Sequence, residues 1–342
     1  MDDRELIGLL GEGAHGYFAG GAGDEITLRD NEASWSRIAL LPQMLVDVGE
    51  RDPSVPLLGR DLPHPIIVAP MAYQKHAHAE GELAMVQAAA ATDTTFVLSS
   101  QTTTSIRDVA AAAPDGRRWF QLYVFRDRAI SLDLVAQARE NGYEALVITV
   151  DFPVAGWRER DQLSGFRVEH PVAANPGGGP TPTEELFAQH DPTLTWDGLA
   201  EFSDAAQMPV LLKGILRPDD AARAVDMGVA GVIVSNHGGR QLDTVLSGAH
   251  ALPPIVDAVE GRIDVLVDGG IRRGWDVAKA LALGADAVLV GRPLLWGLAR
   301  DGRPGVEAVL RQLLAELDGS LALLGCPRAR DLDPSYVTRA PW

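Results

Sequence analysis

Eight short apolar runs recur along the chain, and they restrict the possible folds more than any other feature of the sequence. They are rich in Val, Ile and Leu without polar alternation, which is typical of strands buried on both faces. Their starts lie roughly 22 to 33 residues apart, with one wider gap between the fourth and the fifth. Such runs predict the strands of a parallel sheet. The runs are PIIVAP (65–70), TTFVLSS (94–100), RWFQLYV (118–124), ALVITVD (145–151), PVLLKG (209–214), GVIVSN (231–236), DVLVDGG (264–270) and AVLVGRP (287–293).

Alanine-rich segments of helical character lie between most of these runs. Examples are 81–91, 131–142, 218–228 and 274–284, three of which close on glycine as helices often do. Eight β-then-α units predict an α/β fold, a closed (β/α)8 TIM barrel, for which about 250 residues is typical. A doubly wound open sheet is the rival fold, but no GxGxxG motif follows the first strand.

The chain has 342 residues, and the surplus over a plain barrel falls in two places. We expect a single barrel domain over 1–342, with an N-terminal helical extension over 1–60. A long inserted active-site loop region is expected over 152–208, after the fourth strand. The insertion contains NPGGGPTPT (175–183), a Pro- and Gly-rich stretch that predicts a mobile loop.

Charge, hydropathy and cysteine content exclude several classes of protein. A net charge of -17 makes nucleic acid and anionic membrane surfaces unfavourable partners. No stretch approaches the roughly 20 apolar residues of a membrane helix, and the acidic start does not resemble a signal peptide. The single cysteine, Cys326, allows no intrachain disulfide framework, so a cytoplasmic location is expected. His76, His78 and His170 lack a supporting cluster of cysteines or carboxylates, and no metal site is expected.

Polar and charged side chains follow the predicted strands at their carboxyl ends, where the active site of a TIM barrel lies. Several cations and carboxylates brought together there are costly to bury unless they pair with one another or with a ligand. In SNHGGRQLD, after the sixth run, His237 and Arg240 suit a base and an anion clamp; a turn with two polar residues facing water is the simpler alternative. The residues at these ends are Pro70, Met71, Ala72, Ser99, Gln121, Tyr123, Thr149, Asp151, Arg158, Lys213, His237, Arg240, Asp268, Gly269, Gly270, Arg272, Gly291 and Arg292.

The ends of the seventh and eighth runs predict a bound phosphate. Their glycines and arginines match the usual phosphate site of a TIM barrel, where backbone N–H groups and cations hold the anion. We infer a phosphorylated cofactor there. Ser99, Gln121 and Thr149 supply neutral hydrogen bonds suited to a heterocyclic ring. Lys213 can place a positive charge beside a ring that gains electrons.

With these motifs the chain resembles the FMN-dependent α-hydroxy-acid oxidases and dehydrogenases, the family of glycolate, lactate and mandelate enzymes. SNHGGRQLD is very specific to that family, and the resemblance covers nearly the whole chain. It implies a TIM barrel that binds FMN, acts as an (S)-2-hydroxy-acid oxidase and assembles as a homotetramer. The other matching stretches, in the family's order, are YFAGGAGDE (17–25), FQLYV (120–124), ITVDFP (148–153), LKGI (212–215) and LVDGGIRRG (266–274).

The resemblance also implies a role for each site residue. His237 is the active-site base, and Asp151 orients it and favours its protonated form. Tyr123 contacts the substrate hydroxyl, while the substrate carboxylate is bound by Tyr17, Arg158 and Arg240. The implied FMN-binding set is Pro70, Met71, Ala72, Ser99, Gln121, Thr149, Lys213, Ser235, Asp268, Gly269, Gly270, Arg272, Gly291 and Arg292.

Members of the family differ in their substrate and in how the reduced flavin is reoxidised. Ala72 stands where the oxidases tend to carry alanine, which favours O2 as the acceptor and H2O2 as a product. Gln101 replaces a tryptophan of the glycolate enzymes, Phe18 replaces a second tyrosine, and Tyr73-Gln74 resembles the mandelate and hydroxymandelate oxidases. We therefore expect an aryl or other bulky 2-hydroxy acid as substrate. The alternatives are lactate or glycolate oxidation, a dehydrogenase with a non-oxygen acceptor, a catalytically silent FMN-binding barrel and an FMN-barrel isomerase.

Overall fold

The centre of the molecule is a closed barrel of eight parallel strands. The computed structural model describes residues 3–173 and 177–342. Each predicted run forms one barrel strand, so the TIM-barrel prediction is confirmed. Nearly all strand residues are buried, as expected for strands covered on both faces. In chain order, β1 to β8 are Ile66–Val68, Thr95–Ser99, Arg118–Leu122, Leu146–Thr149, Val210–Ile215, Gly231–Val234, Asp264–Asp268 and Ala287–Val290.

Helices cover the outside of the barrel and form the N-terminal extension. Gly142, Gly228 and Gly284 follow three of them with φ of 71°, 72° and 96°, and these left-handed values explain why the helices close on glycine. Three 3-10 helices are Gln74–His76, Ala329–Asp331 and Pro334–Tyr336. The α-helices of the described residues, α1 to α12, are Asp3–Ala19, Ile26–Ser36, Gly81–Ala91, Ile106–Ala112, Arg128–Glu140, Glu159–Ser164, Thr183–Phe187, Trp196–Ala206, Pro218–Asp226, Gly248–Val259, Gly274–Ala282 and Arg292–Leu324.

The N-terminal extension packs against the carboxyl ends of β6 and β7. The indole N–H of Trp35 donates to the Gly269 carbonyl at 2.9 Å, and the amides of Asn31 and Asn236 exchange hydrogen bonds of 2.7 and 3.0 Å. A Cβ on Gly270 would lie 1.8 Å from the carbonyl oxygen of Asn31, and Gly270 has φ +80°, so this close approach requires glycine. The extension therefore forms part of the wall around the strand ends.

Short strands complete the extension at two places. Ile38–Leu40 pairs antiparallel with Val337–Arg339 near the C-terminus. Val55–Leu57 and Arg60–Leu62 form an antiparallel pair that precedes β1. The extension is thus tied both to the barrel and to the last residues of the chain.

The region 152–208 contains regular structure. After α6, Arg167–Val168 pairs antiparallel with Thr181–Pro182, and then α7 and α8 lead to β5. Within the predicted mobile stretch 175–183, residues 175–176 lie outside the described part of the chain, and the mobility stays a prediction. Within the described ranges, no helix has both the length and the hydropathy needed to cross a bilayer.

Candidate active site

The carboxyl ends of the barrel strands surround an open cavity. It holds about 1030 Å³ of empty space, including the part open to solvent. The structure thus brings most of the predicted site residues to one place. The predicted residues that line the cavity are Tyr17, Pro70, Met71, Ala72, Tyr123, Thr149, Arg158, Lys213, His237, Arg240, Asp268, Gly269, Gly270, Arg272, Gly291 and Arg292.

A chain of neutral hydrogen bonds runs behind the lining at the ends of β2, β3 and β4. The Ser99 hydroxyl donates to Gln121 Oε1 at 2.9 Å, and Gln121 Nε2 donates to the Thr149 hydroxyl oxygen at 2.9 Å. All three side chains are buried. Ser99 and Gln121 therefore fix Thr149, which faces the cavity itself.

His237 follows β6 on a tight loop. It has φ 59°, and Gly238 and Gly239 continue with 66° and 75°, so three left-handed residues turn the chain sharply. The His237 Nδ1 lies 3.0 Å from Asp151 Oδ1, and its Nε2 lies 3.0 Å from the hydroxyl of Tyr123. Because an ionised carboxylate only accepts, Nδ1 carries the hydrogen and Nε2 accepts from Tyr123. The atom on the tyrosine side is therefore available as a base.

Burial and the nearby cations Lys213 and Arg158 lower the pKa of His237, and the Asp151 carboxylate opposes them. The carboxylate raises the pKa by less, so it lies below the ordinary imidazole value. Burial raises the pKa of Asp151, but His237 and Lys213 together lower it by more. The pKa therefore lies below the ordinary value, and the carboxyl is ionised. Asp151 favours the protonated imidazole, but this effect does not outweigh burial. His237 is consequently neutral near pH 7 and can accept a proton.

Lys213 is a buried cation at the end of β5. Its Nζ lies 3.1 Å from Asp268 Oδ2 and donates to the Ser235 hydroxyl oxygen at 2.8 Å. Burial lowers the pKa of Lys213, but Asp268 and Asp151 together raise it above the ordinary value, so the ammonium stays charged. Among the described residues, Asp268 Oδ1 is buried without a hydrogen-bond partner. That oxygen is free to accept from a bound ligand.

Two arginines face the cavity near His237. The Arg240 guanidinium donates to the backbone carbonyls of Tyr17 and Gly20, and it lies 4.8 Å from the centre of the Tyr17 ring. The Nε of Arg158 donates to the Arg240 carbonyl at 2.7 Å. Backbone carbonyls therefore fix both guanidiniums, which together can grip a carboxylate. We refer to Arg158 and Arg240 as the clamp.

Two residues that sequence reasoning missed contact the clamp. Gln241 Oε1 accepts from Arg158 Nη2 at 3.1 Å, and Gln241 Nε2 donates to the Asp151 carbonyl at 2.7 Å. Asp161 Oδ2 lies 3.5 Å from Arg158 and 3.9 Å from Arg240. Gln241 directly follows Arg240 in the motif, and Asp161 is three residues after Arg158, a spacing at which helical side chains meet. Their places beside the clamp residues in the chain were signals that could have singled them out, whereas the groups that Gln241 contacts were not visible in the sequence.

An aromatic wall, also missed, lies beside His237. The ring of Phe152 is 5.1 Å from Phe187, 5.1 Å from Tyr123 and 5.6 Å from the imidazole. Phe152 and Phe187 line the cavity together with Gln101. Two aromatic rings therefore form part of the cavity lining beside His237.

Two further arginines, Arg272 and Arg292, follow β7 and β8 and line the cavity. Arg292 donates to the backbone carbonyls of Phe18, Gly238 and Gly20 at 3.0 to 3.1 Å. Arg272 donates to the carboxylate of Glu32 at 2.6 Å. Because carbonyl partners do not cancel its charge, Arg292 can still attract an anion such as phosphate.

Comparison with known proteins identifies the family. The family model described as FMN-dependent dehydrogenase matches residues 9–339. The chain belongs to the FMN-dependent dehydrogenases. This family member is 46% identical to an L-lactate oxidase of Nostoc sp., over 96% of this chain and 94% of that protein. It is 42% identical to the human 2-hydroxyacid oxidase 1, over 99% of this chain and 95% of the human protein.

Solved structures agree with that assignment. A crystal structure of mandelate oxidase with (S)-4-hydroxymandelic acid superposes with a TM-score of 0.92 at 40% identity, covering 99% of this chain and 98% of that chain. Another, of a mandelate oxidase variant with (S)-mandelic acid, gives a TM-score of 0.90 at 41% identity, with the same coverage of both chains. The predicted family and fold are both confirmed.

The cavity of this FMN-dependent dehydrogenase fits its cofactor. The unpartnered oxygen of Asp268 can accept from a ribityl hydroxyl, and Thr149 can bond a heteroatom of the flavin ring. Lys213 provides a buried positive charge, and Arg272 and Arg292 provide cations for a phosphate. The donor set therefore suits a flavin with an anionic tail.

Proposed function

We propose that this FMN-dependent dehydrogenase oxidises a 2-hydroxy acid to a 2-oxo acid. The observation that carries the proposal is one cavity holding a neutral His237, 3.0 Å from both Asp151 and Tyr123, together with the clamp. A base and a carboxylate grip in one place match the two functional groups of a 2-hydroxy acid. The relatives named L-lactate oxidase and 2-hydroxyacid oxidase support the same reaction.

Each residue of the site has its own role in this reaction. The clamp binds the substrate carboxylate in a two-pronged grip, with Tyr17 beside it. His237 Nε2 accepts the hydroxyl proton, and Asp151 stabilises the imidazolium that forms. Tyr123 contacts the substrate hydroxyl; burial raises the pKa of this phenol well above its ordinary value, so it stays a hydrogen-bond donor. When bound, FMN supplies the acceptor for the two electrons and the hydrogen that leave the α-carbon.

The cofactor-binding roles are part of the proposal. We assign the ring site to the neutral chain that ends at Thr149 and to the Lys213 ammonium, which stabilises negative charge on a reduced ring. Ser235 supports both ends of the site, since its hydroxyl oxygen accepts from Lys213 and from the His237 backbone N–H. The remaining FMN contacts are assigned to Pro70, Met71, Ala72, Asp268, Gly269, Gly270, Arg272, Gly291 and Arg292.

The side chain of the substrate is proposed to be aryl or otherwise bulky and apolar. The wall of Phe152 and Phe187 beside His237 supports this, because aromatic pairs in edge-to-face and offset geometry are favourable. The mandelate ligands named in the similar structures support it too. Lactate or glycolate is the second candidate, favoured by the L-lactate oxidase relatives.

Oxygen is the proposed acceptor and hydrogen peroxide the proposed product. Ala72 stands where the resemblance places an alanine in the oxidases, and the relatives carry oxidase names. A dehydrogenase with another acceptor is the alternative. The homotetramer, the cytoplasmic location and the single domain over 1–342 stay predictions from the sequence.

An anaerobic titration tests the proposal. The purified holoprotein is mixed with L-lactate, glycolate and both mandelate enantiomers while the visible flavin spectrum is recorded, and it is then opened to air. We expect mandelate of one hand to bleach the flavin most readily, followed by recolouring and peroxide formation in air. Bleaching without recolouring would refute oxygen as acceptor, and a flavin that no acid bleaches would refute the proposed reaction.

A further inference from the structure

A buried carboxylate lies behind the clamp and has no role in the reaction proposed above. Asp161 is 7% exposed. Its Oδ2 lies 3.5 Å from Arg158 Nη1 and 3.9 Å from Arg240 Nη2, and its Oδ1 is buried without a hydrogen-bond partner among the described residues. Burying a carboxylate this poorly bonded is costly, so it contributes little to stability by itself.

The clamp does not depend on Asp161 for its geometry. Arg240 is held by the carbonyls of Tyr17 and Gly20, and Arg158 by the Arg240 carbonyl at 2.7 Å and by Gln241 at 3.1 Å. The contacts of Asp161 are longer than these and longer than typical charge-assisted hydrogen bonds. The carboxylate therefore acts on the arginines mainly through its charge.

A charge count then defines what the clamp can accept. Two guanidiniums and one carboxylate leave a net charge of one positive unit in this cluster. Of the other buried charges nearby, Lys213 is compensated by Asp268 at 3.1 Å, and the Arg292 guanidinium is assigned to the cofactor phosphate. Asp151 stays ionised beside the neutral His237, so it adds to the repulsion of a second anion. Glu184 also acts on Asp161, but it is exposed and its effect is screened by solvent. One bound carboxylate therefore neutralises the cluster, whereas a second one would be left uncompensated.

We propose that Asp161 is a charge-balancing residue that makes the clamp of Arg158 and Arg240 selective for substrates with one carboxylate. It acts through the arginines and does not touch the reacting atoms. Dicarboxylic 2-hydroxy acids are rejected because their second negative charge meets the Asp161 carboxylate without a free cation to offset it. The inference rests on the proposed function, since it takes the clamp as the site of the substrate carboxylate.

Equilibrium binding of unreactive three-carbon probes tests the inference. Propionate carries one charge, malonate carries two at mildly alkaline pH, and propionamide carries none. Their Kd values are measured from the change that each causes in the visible spectrum of bound FMN. In the unaltered enzyme we expect propionate to bind more tightly than malonate.

Asp161→Asn keeps the shape and removes the charge. We expect the Kd of propionate to fall about tenfold and that of malonate to fall by more, since nearby charges interact strongly at a buried site. The Kd of propionamide should change less than about twofold, because this probe has no charge. Weaker binding of both anions would mean that Asp161 only holds the arginines in place, and it would overturn the inference. An unchanged ratio of the malonate and propionate Kd values would overturn it as well.

Control variants separate charge from folding and from the reaction. Asp161→Glu keeps the charge and should keep the ratio, and Asp161→Ser repeats the loss of charge if the asparagine variant does not fold. Asp318→Asn, which breaks a distant pair with Arg51 at 2.7 Å, should change neither Kd. If no 2-hydroxy acid bleaches the unaltered enzyme, the proposed function fails; if bleaching occurs but the ratio is unchanged in Asp161→Asn, only this inference fails.

Discussion

Replacing Asp151 by asparagine is expected to remove the base without removing the imidazole. Asp151 Oδ1 accepts from His237 Nδ1 at 3.0 Å and thereby leaves Nε2 unprotonated toward Tyr123. An asparagine amide can donate to Nδ1, which moves the ring hydrogen to Nε2. The substitution is nearly isosteric, which matters because a Cβ on Gly214 would lie only 2.5 Å from Asp151 Cβ and the site has no spare room. The perturbation is therefore chemical and leaves the packing intact.

The expected decrease in the rate of flavin reduction follows from the charge that Asp151→Asn removes. When His237 takes the substrate proton, the imidazolium forms beside Asp151; two unit charges 4 Å apart interact by about 4 kcal/mol at an effective dielectric constant of about 20. Since each 1.36 kcal/mol or so of barrier is a factor of ten in rate, the rate of flavin reduction should fall about 1,000-fold. The clamp is untouched, so the Kd of a carboxylate probe should stay within about threefold, a difference below roughly 1 kcal/mol.

Anaerobic stopped-flow measurement of flavin bleaching checks this prediction. The rate constant at saturating substrate is compared between the unaltered enzyme, Asp151→Asn and the distant control Asp318→Asn, with the FMN spectrum confirming that each variant retains the cofactor. A decrease of less than about tenfold would refute the reasoning, because about 1.4 kcal/mol is too little for the loss of a buried charge partner. The same result would remove Asp151 from the proposed machinery.

Three further predictions follow from the site. Burial lowers the pKa of His237, and the base must be unprotonated, so kcat/KM should stay level as pH falls to about 6.5, the ordinary imidazole pKa, and should decline only at lower pH. A decline that begins above that pH would contradict the role of His237 as the base. Gln241→Ala frees one side of Arg158 and should raise KM about tenfold with kcat changed less than about threefold; steady-state kinetics showing the reverse split would contradict this role. Lys213→Met leaves Asp268 buried without its partner and should lower the free energy of unfolding by about 3–5 kcal/mol, and an unchanged urea midpoint would argue against the pair.

The barrel could be predicted from the sequence because its cause is local. A strand buried on both faces must be apolar without alternation, so each of the eight runs marks its own strand. The residues that line the cavity could be predicted equally well, since the carboxyl ends of parallel barrel strands meet at one side of the barrel. Residues such as His237, Lys213 and Asp268 are therefore brought together by topology alone, before any side-chain contact is known.

The partners of those residues could not be predicted in the same way. Gln241 crosses from the loop after β6 to the segment after β4, where it bonds the Asp151 carbonyl at 2.7 Å and Arg158 at 3.1 Å. The aromatic pair of Phe152 and Phe187 forms only because α7 returns toward the cavity. Such contacts depend on how long loops fold back, and no periodicity in the sequence records that.

The N-terminal extension shows most clearly why the remaining part of the site escapes sequence reasoning. Carbonyls of Tyr17 and Gly20 accept hydrogen bonds from Arg240, and the Gly20 carbonyl also accepts from Arg292, so one short segment holds two of the cations that line the cavity. Carbonyls have no net charge, so they fix the guanidiniums and leave their full attraction for a carboxylate and a phosphate. Asp161 is the exception, a carboxylate that reduces the charge of the clamp by one unit. The docking of the extension and the binding of anions should therefore be coupled, since an extension that detaches removes the groups that aim both arginines.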